Sequence, residues 1–310
     1  MSQQPIRLRL GTRRSPLAMA QAEEARLRLC AAHGWDEAEV ELVPVLASGD
    51  KVQDRPLADI GGKALWTREL DQWLLEGRID AAVHSMKDVE TIRPEAIAIG
   101  AILPRADVRD VLVGAPSIAA LAPGARIGTS SPRRAAQMLN ARPDCAVVPF
   151  RGNVGTRMAK LAAGEADATL LAAAGLARLG RSDVGAPLDP GLWLPAPAQG
   201  AIGIECRAED FVTRELLLAI DHPPSHVAVM AERGLLAALE GSCHSPVAVL
   251  CQADGLALIM RAVLFSENGG ARIDGEVVFP AGDEAGPRAL AAELLSRAPV
   301  SIAALFAGGG

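Results

Sequence analysis

The sequence predicts an α/β protein with a smaller α+β region at its C-terminal end. Three observations carry this. Strand-like apolar runs alternate with helical segments through residues 1–220, the pattern of mostly parallel sheets. Two stretches of that region echo each other. After residue 241 the pattern changes to three β-rich runs separated by Gly-containing turns.

RLRLGTRRSPLAMAQA (7–22) reads as a strand, a Gly-Thr turn, Ser-Pro and a helix, and ARIGTSSPRRAAQML (125–139) repeats that order. Ser15 and Ser131 suit the helix cap, and Pro16 and Pro132 suit the first helical position. A second echo follows: EGRIDAAVHSMKD (76–88) and AGEADATLLAAAG (163–175) share Gly-x-x-Asp-Ala between a helix end and an apolar strand. Two echoes in the same order predict two similar α/β lobes. Ligands of such sheets bind at the carboxyl ends of strands, near helix N-termini, where both Gly-Thr loops and HSMKD fall. Residues 225–241 have helical periodicity and stop at Gly241. PVAVLCQ, GLALIMRAVLF and ARIDGEVVF then predict a three-stranded antiparallel sheet, and a last helix covers about 284–297.

Half of the 310 residues are apolar and 22% are charged, which suffices for a sizeable core. A net charge of −6 and scarce aromatics (five Phe, four Trp, no Tyr) argue against nucleic-acid binding. MSQQPIRLRLGT holds no apolar signal core and no apolar run reaches membrane-spanning length, so the expected location is the cytoplasm. Cys30, Cys145, Cys206, Cys243 and Cys251 are odd in number and lack C-x-x-C spacing, against a disulfide framework or zinc ribbon.

Basic and hydroxyl residues gather in four loops: Arg13-Arg14-Ser15; Lys63 after Gly61-Gly62; Thr129-Ser130-Ser131 with Arg133 and Arg134; and Arg151-Gly152-Asn153 with Arg157. Singly these are ordinary helix starts and surface arginines. Together they point to a ligand with several anionic groups. A P-loop is excluded by Leu57 where the first Gly is needed and Ala64 where Ser or Thr would follow. Cys243 lies among small residues in LEGSCHSP, in an expected accessible loop, whereas the other cysteines read as small buried hydrophobes. His222, His226 and His244 read as loop histidines rather than metal ligands. In VHSMKDVE (83–90), Lys87 at a strand end would bind a ligand carboxylate. Asp88 would be the single anion among cations, placed to stabilise a developing cation or accept N–H bonds. The alternative is a solvated Lys-Asp turn.

HSMKDV, IGGKALW, GTSSPRR, FRGNVGTR, LAAAGLARLG, PAPAQGAIGIECR and LEGSCHSP occur in one order, and together they resemble the porphobilinogen deaminases, or hydroxymethylbilane synthases. The resemblance implies three domains: residues 1–103 with 201–219, residues 104–200, and residues 222–310. The first two would be lobes like those of type II periplasmic binding proteins. It implies a dipyrromethane cofactor in thioether linkage to Cys243 and a transferase reaction. Four porphobilinogen molecules would be joined head to tail with loss of ammonia, and hydrolysis would free hydroxymethylbilane for tetrapyrrole and haem biosynthesis. Asp88, Lys87 and Arg13 would be catalytic. Ser15, Lys63, Lys87, Asp88, Thr129, Ser130, Ser131, Arg133, Arg134, Arg151 and Gly152 would hold the cofactor. Arg13, Arg157, Arg178, Gln199 and Trp66 would contact substrate, with Gln199-Gly200 in the hinge region. Moderate size and a self-contained core suggest a monomer, and the sequence leaves open whether the product passes directly to uroporphyrinogen-III synthase. Asp59, Pro132, Ala198 and Ser242 depart from the common residues of the family (Lys, Leu, Gly and Gly). Rival readings are a two-lobed carboxylate-binding protein without chemistry, a Cys243-dependent hydrolase using His244 or His84, and a nucleic-acid binder resting on the arginine loops alone.

Overall fold

A computed structural model describes residues 5–46 and 67–306. Its strands, in chain order, are β1 (Leu8–Arg13), β2 (Val40–Val45), β3 (Ala81–Ser85), β4 (Ile97–Ile102), β5 (Asp110–Val113), β6 (Arg126–Gly128), β7 (Ala146–Val148), β8 (Ala168–Ala172), β9 (Ala186–Pro187), β10 (Ile202–Arg207), β11 (Val247–Asp254), β12 (Ala257–Phe265) and β13 (Arg272–Pro280). The chain divides into two compact units, residues 1–106 with 201–226, and residues 107–200 with 227–310.

The first unit holds a five-stranded sheet of order β2-β1-β3-β10-β4. β1 runs parallel to β2 and β3, whereas β10 is antiparallel to both its neighbours, β3 and β4. The second unit holds the matching sheet, β7-β6-β8-β5-β9, in which β5 is the reversed strand. The expectation of mostly parallel sheets therefore holds for strand direction. The single reversed strand in each lobe nevertheless makes half the pairings antiparallel.

The first echo is visible at both lobe entries. Helix α1 (Pro16–His33) is capped by Ser15, whose side chain accepts the Ala18 N–H. The helix Pro132–Ala141 is capped by Ser131, which accepts the Arg134 N–H. The second echo extends to individual bonds. Gly77 (φ 69°) and Gly164 (φ 73°) follow helix ends in the left-handed region that suits glycine. Asp80 accepts the Arg9 backbone N–H at 2.9 Å and pairs with its guanidinium, which also reaches the Gly77 carbonyl. Asp167 does the same for Arg126, whose guanidinium reaches the Gly164 carbonyl.

Apolar clusters cover both faces of the first sheet. Leu8, Leu10, Ala22, Leu29, Ile202 and Leu217 pack on one side, and Leu70, Leu74, Ile79 and Ala82 on the other. β11, β12 and β13 form the expected antiparallel sheet. Gly255 (φ 62°) begins the two-residue turn between β11 and β12, as that hairpin type requires. One face of this sheet packs on the helices Pro223–Ala238 and Ala285–Arg297 through Leu235, Leu239, Met260, Leu290 and Leu294. Ala248, Leu250, Val263 and Phe265 pack with Ala136 and Leu194 of the preceding lobe. The helix before Cys243 ends at Ala238 rather than Gly241, and its left-handed residue is Glu240 (φ 53°). A Cβ at Gly241 would lie 2.7 Å from Leu236 Cδ1, so a larger residue there would require that side chain to shift.

Candidate active site

In the first unit Lys87 and Asp88 lie on the turn that follows β3. Residues Met86–Asp88 form a single 3₁₀ turn at the carboxyl end of β3. Met86 is buried, while Lys87 and Asp88 are half-buried. Asp88 lines an open cleft with Arg13, Ser15, Gln21, His84 and Ser85, so the two strand ends read separately from the sequence meet in one site. Gln21 is buried and bonds Ser85 at 2.7 Å, giving the cleft a neutral polar side.

Behind this turn lies a buried ionic cluster that sequence reasoning did not find. Glu205 on β10 is fully buried and accepts two bonds from Arg93, Nε at 2.8 Å and Nη2 at 2.9 Å. Arg93 also reaches Asp71 at 2.5 Å and Glu90 at 2.8 Å. His84 Nε2 stands 3.2 Å from Glu205, at ion-pair distance but without hydrogen-bond alignment. Burial opposes the charge on Glu205, but His84 and Arg93 outweigh it and hold the carboxyl at about 2. Asp71 is pushed up by burial, against the pull of Arg93.

In the second unit the Gly-Thr loop and the arginine loop are joined. Ser130 donates to the Phe150 carbonyl at 2.9 Å, and Thr129 Oγ1 accepts the Ser131 N–H. Arg151 and Gly152 follow, with Gly152 at φ 105°, and Asn153 caps the helix Val154–Ala162. Arg157 Nε donates to the Gly152 carbonyl at 3.0 Å, and Arg178 reaches the Gly200 carbonyl at 3.3 Å. Cys243 is exposed, whereas the other four cysteines are buried. Its loop is held by the Ser242 N–H donating to Ser245 Oγ and the His244 N–H donating to Ser242 Oγ.

Arg133 and Arg134 are placed differently from the open ligand contacts the sequence suggested. Both are buried against Asp110, itself fully buried. Asp110 Oδ1 accepts from Arg134 (2.6 and 3.2 Å) and from Gln199 (2.9 Å), and Oδ2 from Arg133 (2.5 Å) and Trp193 (2.8 Å). Burial works against the Asp110 charge, yet the two guanidiniums hold its carboxyl far below the usual carboxylate range. Gln199, expected at the substrate, is fully buried, with its amide donating to Asp110 and the Val108 carbonyl. Next to it Ala198 adopts φ 58°, and its N–H donates to the buried Glu232 carboxylate at 2.6 Å. Lys63, Trp66 and Asp59 lie outside the described residues.

The donor set fits a polycarboxylate. Two buried guanidiniums face one carboxylate, leaving one positive charge in excess, and Arg133 Nε is buried without a partner. Hydroxyls, arginines and a glycine in the loop suit carboxylate oxygens. Among the described residues no group of His, Cys, Asp and Glu is arranged to hold a metal ion, and no helix is long and apolar enough to cross a membrane.

Comparison with known proteins identifies the family. Residues 8–215 match the family described as "Porphobilinogen deaminase, dipyromethane cofactor binding domain", and residues 226–296 match "Porphobilinogen deaminase, C-terminal domain". A protein of Sphingopyxis alaskensis named porphobilinogen deaminase is 59% identical over 307 residues, covering 97% of this chain and 96% of that protein. Its namesake from Paracoccus denitrificans is 50% identical over 301 residues, covering 96% of each. Among solved structures, "An ancestral arginine-binding protein bound to arginine" aligns at TM-score 0.38 and 15% identity, over 71% of this chain and 92% of that one. At these identities over nearly its full length, the chain belongs to the porphobilinogen deaminase family.

Proposed function

We propose that this chain is a transferase that joins four porphobilinogen molecules head to tail on a dipyrromethane primer bound to Cys243, then releases hydroxymethylbilane by hydrolysis. The observation that carries the reading is the convergence of Asp88, Arg13 and Ser15 on one cleft, in a chain of this family. Arg13 and Ser15 offer donors for the acetate and propionate groups of a substrate pyrrole. Asp88 accepts the pyrrole N–H and faces the positive charge that develops on the substrate as its C–N bond breaks and ammonia leaves. Lys87 binds a carboxylate beside it. Thr129, Ser130, Ser131, Arg151, Gly152, Arg157 and Arg178 supply donors for further carboxylates, and Arg133 and Arg134 add charge from beneath. The primer, when bound, supplies the pyrrole terminus to which substrate is joined. The exposure of Cys243 supports its role as the attachment point.

The three sheets support a division into residues 1–103 with 201–219, residues 104–200 and residues 222–310. A cytoplasmic monomer that hands its product to uroporphyrinogen-III synthase completes the reading.

The test is the intact mass of the denatured protein beside Cys243→Ser, with turnover of Asp88→Asn. Wild-type mass in excess by two linked pyrroles, absent from Cys243→Ser, is expected. So is at least 100-fold lower turnover in a folded, cofactor-loaded Asp88→Asn. An unmodified wild-type mass that neither porphobilinogen nor hydroxymethylbilane alters would leave a binding protein without chemistry.

A further inference from the structure

The cluster behind the catalytic turn has an arrangement that bulk stability does not require. His84 lies four residues before Asp88 and Arg93 five residues after it, and both converge on the same carboxylate, Glu205 of β10. His84 also pairs with Gly203 across β3 and β10, next to the Ser85–Ile202 pair. Arg93 is 8% exposed, His84 4% and Glu205 0%, so the three side chains are packed and not free to reorient. Arg93 is fixed further by Asp71 of the helix Arg68–Leu75 and by Glu90, which itself accepts from Thr67 at 2.7 Å. Arg93 ties the segment after Asp88 to Glu205 by two hydrogen bonds, His84 before it packs against the same carboxylate at 3.2 Å without one, and Met86 is anchored between them by its N–H bond to the Ala201 carbonyl at 3.1 Å.

We infer that Glu205 is a positioning residue for Asp88: its two bonds to Arg93 clamp one flank of the 86–88 turn, His84 packs against it on the other flank, and so it fixes where the carboxylate stands in the cleft. The inference rests on the reading that Asp88 acts in the reaction. A bidentate guanidinium–carboxylate pair defines distance and plane together, which a single ionic contact does not. Displacing a reacting group by about 1 Å costs on the order of 100-fold in rate. Arg13 and Ser15 lie on β1 and at the N-cap of α1, outside the 84–93 segment. Loosening the clamp therefore affects the rate of reaction more than substrate binding.

The experiment compares Glu205→Gln, Arg93→Lys and Asp88→Asn as full-length, cofactor-loaded proteins. Loading is measured by intact mass, and kcat per loaded enzyme and KM with porphobilinogen are measured well below each variant's Tm. Glu205→Gln is expected to load normally, to keep KM within about twofold and to lose about 10–100-fold in kcat. Arg93→Lys keeps the charge but not the fork, and is expected to show a smaller loss of the same kind. A kcat per loaded enzyme within about twofold of the parent in both variants, however low their Tm, would make the cluster merely structural and overturn the inference. If Glu205→Gln does not fold, Arg93→Lys decides by the same criteria. An active Asp88→Asn would refute the role of Asp88 itself. An inactive Asp88→Asn beside a fully active Glu205→Gln would refute only the clamp.

Discussion

Replacing Asp110 by Asn tests the account of the second lobe most severely. The substitution keeps the shape of the side chain and removes its charge. Five donors converge on the two carboxylate oxygens, three of them from guanidiniums. An amide keeps one acceptor oxygen. Its less costly orientation places that oxygen toward Arg134 and Gln199, and turns its NH2 toward Arg133 and Trp193. Two bonds to an ionised acceptor, at about 1.5–3 kcal/mol each, are then lost. Two buried guanidiniums also remain without a counter-charge. Breaking a buried pair in this way costs about 3–5 kcal/mol, so about 4 kcal/mol is expected in total. For a unit of this size that corresponds to a fall in Tm of about 8–16 °C. Differential scanning calorimetry of Asp110→Asn beside Asp107→Asn measures it. Asp107 pairs with Arg109 at the surface and serves as the control, expected within about 2 °C of the parent. A similarly small shift for Asp110→Asn would refute the buried-charge argument.

Two further outcomes follow from the same geometry. The Glu205 carboxyl is lowered in the folded state from an ordinary 4.5 to about 2. Its contribution, about 3 kcal/mol by linkage, is full above pH 4.5 and disappears as pH falls through about 2. The Tm of Glu205→Gln should accordingly fall less steeply than that of the parent between pH 4.5 and 2, and parallel curves would contradict this. Ala198→Gly relieves a left-handed alanine worth about 1–2 kcal/mol, against a glycine entropy cost of about 0.5–1 kcal/mol. A Tm rise of about 1–3 °C is expected, and a fall would mean that the alanine methyl contributes packing that outweighs its strain.

What the sequence made legible was local. The Ser-Pro helix entries, the Gly-x-x-Asp-Ala echo, the three C-terminal strands and the strand-end position of Lys87 and Asp88 each depend on a few adjacent residues, and each is present. The exposed loop around Cys243 was likewise readable from its small neighbours. What escaped was pairing across distance. Glu205 lies 112 residues from Arg93, and Asp110 lies 89 residues from Gln199. No periodicity connects such positions. Arg133 and Arg134 read as ligand contacts from the charge of their loop, and Gln199 from the family resemblance alone. The sequence does not state that a buried aspartate from the reversed strand β5 stands opposite them.

The duplication explains why the two lobes use their arginines differently. In the first, the pair Arg13-Arg14 precedes the cap Ser15. In the second, Arg133-Arg134 follows the cap Ser131. A residue before the cap lies on the strand end, outside the helix, and Arg13 lines the cleft from there. A residue in the first turn lies on the helix surface that packs on the sheet, and a cation there needs a buried anion. Asp110 on β5 meets that need. The corresponding reversed strand of the first lobe, β10, carries Glu205, whose partner Arg93 comes from the segment after Asp88 instead. Each reversed strand thus carries a buried carboxylate that fixes an arginine of its own lobe. One fixes the charged helix start beneath the Gly-Thr loop, and the other fixes the turn that presents Asp88.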